Sequence, residues 1–239
     1  MRRERLSYEA DGLTLHSELY VPDGTGHRPG VLVFPEAFGL GEHARGRAER
    51  LAAMGYVALA SDLHGDGRLL DELGPAIELL QPMYADPTKT RARASAGLAA
   101  LRRHPEVEAG RIGAIGFCFG GTMALELARS GTDIQAVVGF HSGLGTVAPA
   151  AAGTINARIL VCIGADDPFI PPEQRAAFEA EMRASGADWQ MHLHGGTVHS
   201  FTNREAARVN RPDAVRYSPE ADARSWAAMA ALFGETLQG

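Results

Sequence analysis

The chain has 239 residues, 45% apolar and 22% charged, the balance of a globular enzyme with a large core. Its net charge of −6, from 23 basic and 29 acidic side chains without a long run of either sign, argues against nucleic acid or an anionic membrane as the main partner. The basic start Met1-Arg2-Arg3-Glu4-Arg5 has no apolar stretch behind it and no apolar run reaches bilayer length, so neither signal peptide nor anchor is expected, and the expected location is cytoplasmic.

In chain order, Leu13 to Val21 alternates and suits an antiparallel strand or hairpin at a sheet edge. Val31-Leu32-Val33-Phe34, closed by Pro35, reads as a strand buried on both faces. A helix over His43 to Met54 and a strand over Val57 to Ala60 follow. Residues 65–87 are rich in Gly, Pro and Asp and read as an irregular section of the kind that often covers an active site. Thr90 to Arg103 is helical, with Ala94, Leu98 and Leu101 on one face.

Ile112 to Gly116, Ile134 to Phe140, Arg158 to Ile163 and Trp189 to Leu193 read as strands. Helices are expected from Pro171-Pro172-Glu173 to Ser185 and from Asp222 to Leu237. Strand–helix alternation of this kind implies an α/β protein, a mostly parallel twisted sheet flanked by helices on both faces. With no internal repeat and no low-complexity linker, one domain over residues 1–239 is expected. In such sheets ligands bind beyond the carboxyl ends of the strands.

The chemistry concentrates at Gly116-Phe117-Cys118-Phe119-Gly120-Gly121, between a strand and a helix that runs from Thr122 to Arg129. Gly-x-nucleophile-x-Gly is the elbow that exposes a nucleophile on a sharp strand-to-helix turn, with small neighbours so that strand and helix can pack closely. Here cysteine takes the nucleophile's place, at a helix N-terminus where the dipole favours a thiolate. A buried structural cysteine is the plainer reading of the string alone.

A thiol nucleophile needs a base, and the base an orienting acid. The turn Gly164-Ala165-Asp166-Asp167-Pro168 offers two acids. Asp167 is preferred, three residues before Ile170-Pro171, and Asp166 suits an Asx-type turn. Gly195-Gly196-Thr197-Val198-His199 then supplies a histidine on a loop after the last strand, in the order nucleophile, acid, histidine.

Other candidates have structural readings. His192 and His194 alternate on a strand and suit the exposed face of an edge strand better than a metal site. His141 suits a packed histidine with a backbone hydrogen bond, and Cys162 a small hydrophobe. His64 and Asp66 follow a strand end and are candidates to line the pocket. No disulfide framework is expected from the two cysteines.

From Leu13 to Leu237 the chain resembles the dienelactone hydrolase family of the α/β-hydrolase superfamily. The resemblance rests on Phe34-Pro35-Glu36-Ala37-Phe38-Gly39, the cysteine elbow, Gly164 to Pro171, and His199-Ser200-Phe201. It implies an α/β-hydrolase fold, with Cys118 as nucleophile, His199 as base and Asp167 as its orienting acid. It also implies Glu36 as the glutamate that contacts the resting thiol and takes its proton when substrate enters. The implied oxyanion hole is the backbone N–H of Ala37 and of Phe119.

Two arginines that bind a substrate carboxylate are expected in the family. Arg204 stands near one place, one position off, and Arg68, Arg91 and Arg93 compete for the other. The implied activity is hydrolysis of a lactone or small carboxylic ester through a thioester, as in carboxymethylenebutenolidases, with no metal or organic cofactor. The expected partner is the small-molecule substrate, and the expected state a monomer or small homo-oligomer. The alternatives are a broader thiol esterase or thioesterase and a non-catalytic binding protein of the same fold; a carboxylate held by Arg204 favours the lactone reading, and an apolar pocket the esterase.

Overall fold

The computed structural model describes residues 1–238. One eight-stranded sheet organises them: β1 (Arg2–Ala10), β2 (Leu13–Val21), β3 (Arg28–Phe34), β4 (Val57–Ala60), β5 (Val107–Phe117), β6 (Ala136–Phe140), β7 (Arg158–Gly164) and β8 (Trp189–His194). The order across the sheet is β1-β2-β4-β3-β5-β6-β7-β8. β1 pairs antiparallel with β2 and β2 antiparallel with β4, and every other pairing is parallel.

Strand alternation sorts the core onto two faces. Leu32, Leu59, Ala114, Val137 and Val161 point to one face, under α3 (Pro87–Arg102), α4 (Phe119–Arg129) and α5 (Pro172–Ser185). Val31, Val33, Ile115, Val138 and Leu160 point to the other, under α1 (Glu42–Ala53) and α6 (Pro219–Leu237). The central strands are therefore apolar on both sides, which is why they read in the sequence as continuous runs.

The edge expected as an antiparallel strand or hairpin is a hairpin of β1 and β2: Asp11 and Gly12 both have positive φ (51° and 72°), the backbone of a two-residue turn whose twist matches its strands. Two expectations are corrected. Residues 65–87 are not irregular throughout, because α2 (Leu73–Ala85) occupies most of them. Its Ala76, Leu80 and Met83 form one buried stripe, Pro75 falls in the first turn, and Pro82 falls in the last. Finally, α3 begins at Pro87 and not Thr90, capped by the Asp86 side chain, which accepts from the Thr88 N–H at 3.0 Å.

A buried ion network pins the loop after β6. Glu126 and Arg129 on α4 pair with each other, with Arg91 on α3 and with Glu181 on α5. Arg91 and Arg129 also donate to the carbonyls of Ala148 and Leu144. Each buried charge is thereby paired and hydrogen-bonded, and the loop becomes a firm wall of the cavity described below.

Candidate active site

β5 delivers Cys118 to the carboxyl end of the sheet at φ 54°, ψ −120°, outside the regions most side chains adopt. The cost is of order 1–3 kcal/mol and must be offset by the surroundings. The Cys118 N–H donates to the Phe140 carbonyl at 3.0 Å and to His141 Nδ1 at 3.2 Å, tying the tip of the turn to β6. Small neighbours are obligatory. A Cβ on Gly116 would lie 2.0 Å from the Gly120 oxygen, and one on Gly120 2.3 Å from the Phe34 oxygen.

Asp167 stands after β7 and is buried, with Oδ1 accepting from the Phe169 N–H at 2.9 Å and Oδ2 lying 2.7 Å from His199 Nδ1. Asp166 is exposed, and its N–H donates to the Thr197 carbonyl. His199 is held along its own backbone. Its N–H donates to the Ala214 carbonyl at 3.0 Å, and its carbonyl accepts from the Arg216 N–H at 3.1 Å. Burial disfavours charge on the ring, but the Cys118 sulfur and the Asp167 carboxylate on its two sides prevail, and its pKa rises to about 10.

Glu36, in the loop after β3, is buried and borders the same cavity as Cys118 and His199. Ser200 Oγ donates to its Oε1 at 2.8 Å, and Asn203 Nδ2 donates to Oε2. His43 Nδ1 lies 3.9 Å from the same Oε2. Ser200 and Asn203 are thus the side chains that hydrogen-bond Glu36, which borders the same cavity as Cys118. Ala37 borders the cavity next to Cys118, and His64 Nε2 fixes it by donating to its carbonyl at 2.8 Å. His64 thus acts behind the wall, and Asp66 is exposed. Phe119 is the first residue of α4, where its N–H has no partner one turn back in the helix.

A cavity of about 560 Å³ opens over Cys118 and His199. Its wall is apolar: Phe38, Leu80, Tyr84, Val147, Phe169 and Val209. Several of these remain exposed at the mouth, Val147 by 69% and Phe169 by 41%. Arg204 lies outside this wall, exposed, with its guanidinium 6.0 Å from the Tyr217 ring. Arg91 and Arg93 are taken by Glu126 and Asp11, and Arg68 is exposed. The cation that does border the cavity is Arg211, whose guanidinium lies 5.9 Å from the Phe169 ring. No sequence signal marks it, because a twelve-residue excursion after His199 returns it to the mouth.

The two histidines on β8 are half-buried, with His194 against Phe201, and Leu193 between them takes the exposed face. No cluster of His, Cys, Asp and Glu suited to a metal forms among the described residues. Cys162 is buried within β7, and burial pushes its thiol up to about 12. Iodoacetamide at about pH 8 is therefore expected to modify Cys118 and spare Cys162 until the protein unfolds. Peptide mapping reads this directly, and labelling of Cys162 in the folded state would contradict it.

The family model that matches the chain, over residues 15–237, is that of the dienelactone hydrolase family. The chain belongs to that family. It is a dienelactone hydrolase-like hydrolase, and the sheet order above is that of the α/β-hydrolase fold. The same fold occurs in an α/β-hydrolase enzyme from a Medee basin deep-sea metagenome, 17% identical, with a TM-score of 0.74 over 99% of both chains.

Two solved members lie nearer. The protein m3DLH is 45% identical, with a TM-score of 0.94 over 99% of this chain and 98% of its own. A dienelactone hydrolase-like promiscuous phosphotriesterase from metagenomic libraries is 42% identical, with a TM-score of 0.93 over 98% of both chains. A probable 2-oxo-3-(5-oxofuran-2-ylidene)propanoate lactonase of Bradyrhizobium is 31% identical over 194 residues, 75% of this chain and 76% of that one. No described helix of this family member is long and apolar enough to cross a membrane.

Proposed function

We propose that the protein hydrolyses neutral, apolar carboxylic esters through a Cys118–His199–Asp167 triad and a thioester intermediate. The observation that carries this reading is the alignment of Asp167, His199 and Cys118 beneath a cavity whose wall is apolar and whose borders exclude Arg204. Asp167 accepts the Nδ1 proton of His199, which orients Nε2 toward the thiol. His199 takes the thiol proton, and the sulfur attacks the ester carbonyl.

The backbone N–H groups of Ala37 and Phe119 are the donors for the oxyanion, each worth about 3 kcal/mol of barrier. Collapse expels the alcohol with the proton from His199, and His199 then activates water to release the acid. His199→Ala is therefore expected to slow both acylation and deacylation, lowering ester turnover by about 10²-fold or more. Turnover close to the wild-type rate would remove His199 as the base.

A second reading, hydrolysis of a lactone that bears a carboxylate, is favoured by Arg211 alone, which stands at the mouth where such a group would enter. The lactonase name of the Bradyrhizobium relative points the same way. Comparing an aryl butyrate with a dienelactone carboxylate separates the two. The ester reading expects the butyrate to be preferred and Arg211→Leu to leave that preference in place. Preference for the lactone, lost in Arg211→Leu, would establish the second.

A further inference from the structure

Beside the stripe that α2 buries in the core, the helix turns a second one to the cavity. Leu73, Ile77, Leu80 and Tyr84 line the cavity wall, spaced four, three and four residues apart on one helical face. At about 1.5 Å per residue this stripe runs for about 16 Å. Ile77 and Tyr84 are each 47% exposed, so the stripe offers apolar surface that a ligand would cover. Leu79 is exposed as well but does not border the cavity.

Both ends of α2 are tied to the reacting centre. Ahead of the helix, the Leu70 N–H donates to the Phe38 carbonyl at 3.0 Å, next to Ala37. At its last turn the Tyr84 ring stands edge-on to Phe119, centroids 4.9 Å apart, next to Cys118. The sheet order fixes the sides. β5 carries Cys118, α2 follows β4 on the β3–β4 side, and Asp167 and His199 follow β7 and β8 on the other. Phe169 belongs to that second side, its ring edge-on to His199 with centroids 5.1 Å apart.

The direction of the chemistry then assigns the two halves of an ester. The departing alkoxide takes its proton from His199, so the alcohol lies toward His199 and Phe169. The acyl chain extends the opposite way, toward α2. Resting on the ester reading above, we infer that the stripe of Leu73, Ile77 and Leu80 is the acyl-chain site, and that the substrate class is esters of medium-length aliphatic acids. Tyr84 stands at the nucleophile end of the stripe, so the chain runs along the helix from its carbonyl outward. Leu73 and Ile77 touch the chain and none of the reacting atoms, and they set the preferred acyl length.

Nitrophenyl esters of increasing acyl length share one leaving group and read the acyl site alone. From acetate to hexanoate, kcat/KM is expected to rise about threefold per methylene, about 10²-fold in all. Ile77→Ser is expected to cut the hexanoate-to-acetate ratio about tenfold. Leu79→Ser, on the face turned from the cavity, is expected to keep that ratio within about twofold of wild type. Leu73→Ser gives a second test of the stripe, and neither Leu73 nor Ile77 is buried in the core, so both variants should fold. In alkyl acetates of increasing alcohol length, Ile77→Ser is expected to leave the series as in wild type.

A flat acyl series in the wild type would overturn the inference, as would an unchanged ratio in both Ile77→Ser and Leu73→Ser. Flattening of the alcohol series by Ile77→Ser, with the acyl series intact, would overturn it too. Binding to Cys118→Ala, measured by calorimetry, tests the site without turnover: methyl octanoate is expected to bind about tenfold or more tightly than methyl butyrate. That gradient without ester turnover in the wild type would defeat the catalytic reading and leave the chain site standing. Equal binding of the two esters, with turnover intact, would defeat the chain site and leave the catalytic reading.

Discussion

Cys118→Ala is expected to lower kcat/KM for an aryl ester by about 10⁴-fold or more, about 5 kcal/mol of lost transition-state stabilisation. The reason lies in the division of labour at the site. On the proposed mechanism the backbone donors and the apolar wall would still bind the ester, but the sulfur that attacks it would be gone. Folding should be almost unaffected: Cys118 is only half-buried, and alanine meets the same positive φ with a smaller side chain. A thermal melt within about 2 °C of wild type, beside the lost activity, would separate chemistry from structure. Hydrolysis close to the wild-type rate would remove Cys118 from the mechanism.

Gly116→Ala is expected to yield little folded protein, with a destabilisation above about 4 kcal/mol. The added carbon would lie 2.0 Å from the Gly120 oxygen, 2.2 Å from the Gly120 carbonyl carbon and 2.5 Å from the Gly121 nitrogen. All three are backbone atoms and cannot rotate away as a side chain would. β5 cannot retreat either, because it is hydrogen-bonded between β3 and β6. The comparison is Gly46→Ala, at an exposed position inside α1 with no heavy atom within 4 Å of the added carbon. That change should stabilise the protein by up to about 1 kcal/mol, because glycine costs a helix backbone entropy. Chemical denaturation of both variants reads the contrast, and a stable Gly116→Ala would show that the elbow can open.

The elbow, the acid after β7 and the histidine after β8 were legible in the sequence because each obeys a local rule. Cys118 needs small residues two positions either side, and Gly116 and Gly120 are there. Asp167 ends a strand whose apolar run is unmistakable, and His199 follows a glycine pair that lets a loop turn back. The central strands were equally plain, since burial on both faces forces continuous apolar runs.

What stayed hidden depended on distance along the chain. The breakers Gly74, Pro75 and Pro82 concealed α2, whose stripe of Ala76, Leu80 and Met83 has meaning only against the core beneath it. The edge hairpin, by contrast, lay within reach of the sequence, because the alternation of Leu13 to Val21 and the Asp11-Gly12 turn are local signals.

Motif position pointed to Arg204 as the cation for substrate, whereas the path of the chain after His199 turns it onto Tyr217 and brings Arg211 to the cavity mouth. The sequence by itself determined the central strands with their neighbouring helices and the places of the candidates Cys118, Asp167 and His199 at strand ends, because short-range sterics and burial write those directly into residue choice. Only the tertiary structure decided what surrounds them: Ser200, Asn203 and His43 around Glu36, and an apolar wall assembled from five separate segments. Hydrogen bonds between residues more than a hundred and fifty positions apart, such as Ser200 to Glu36, have no local pattern, since they exist only once the sheet brings the loop ends together.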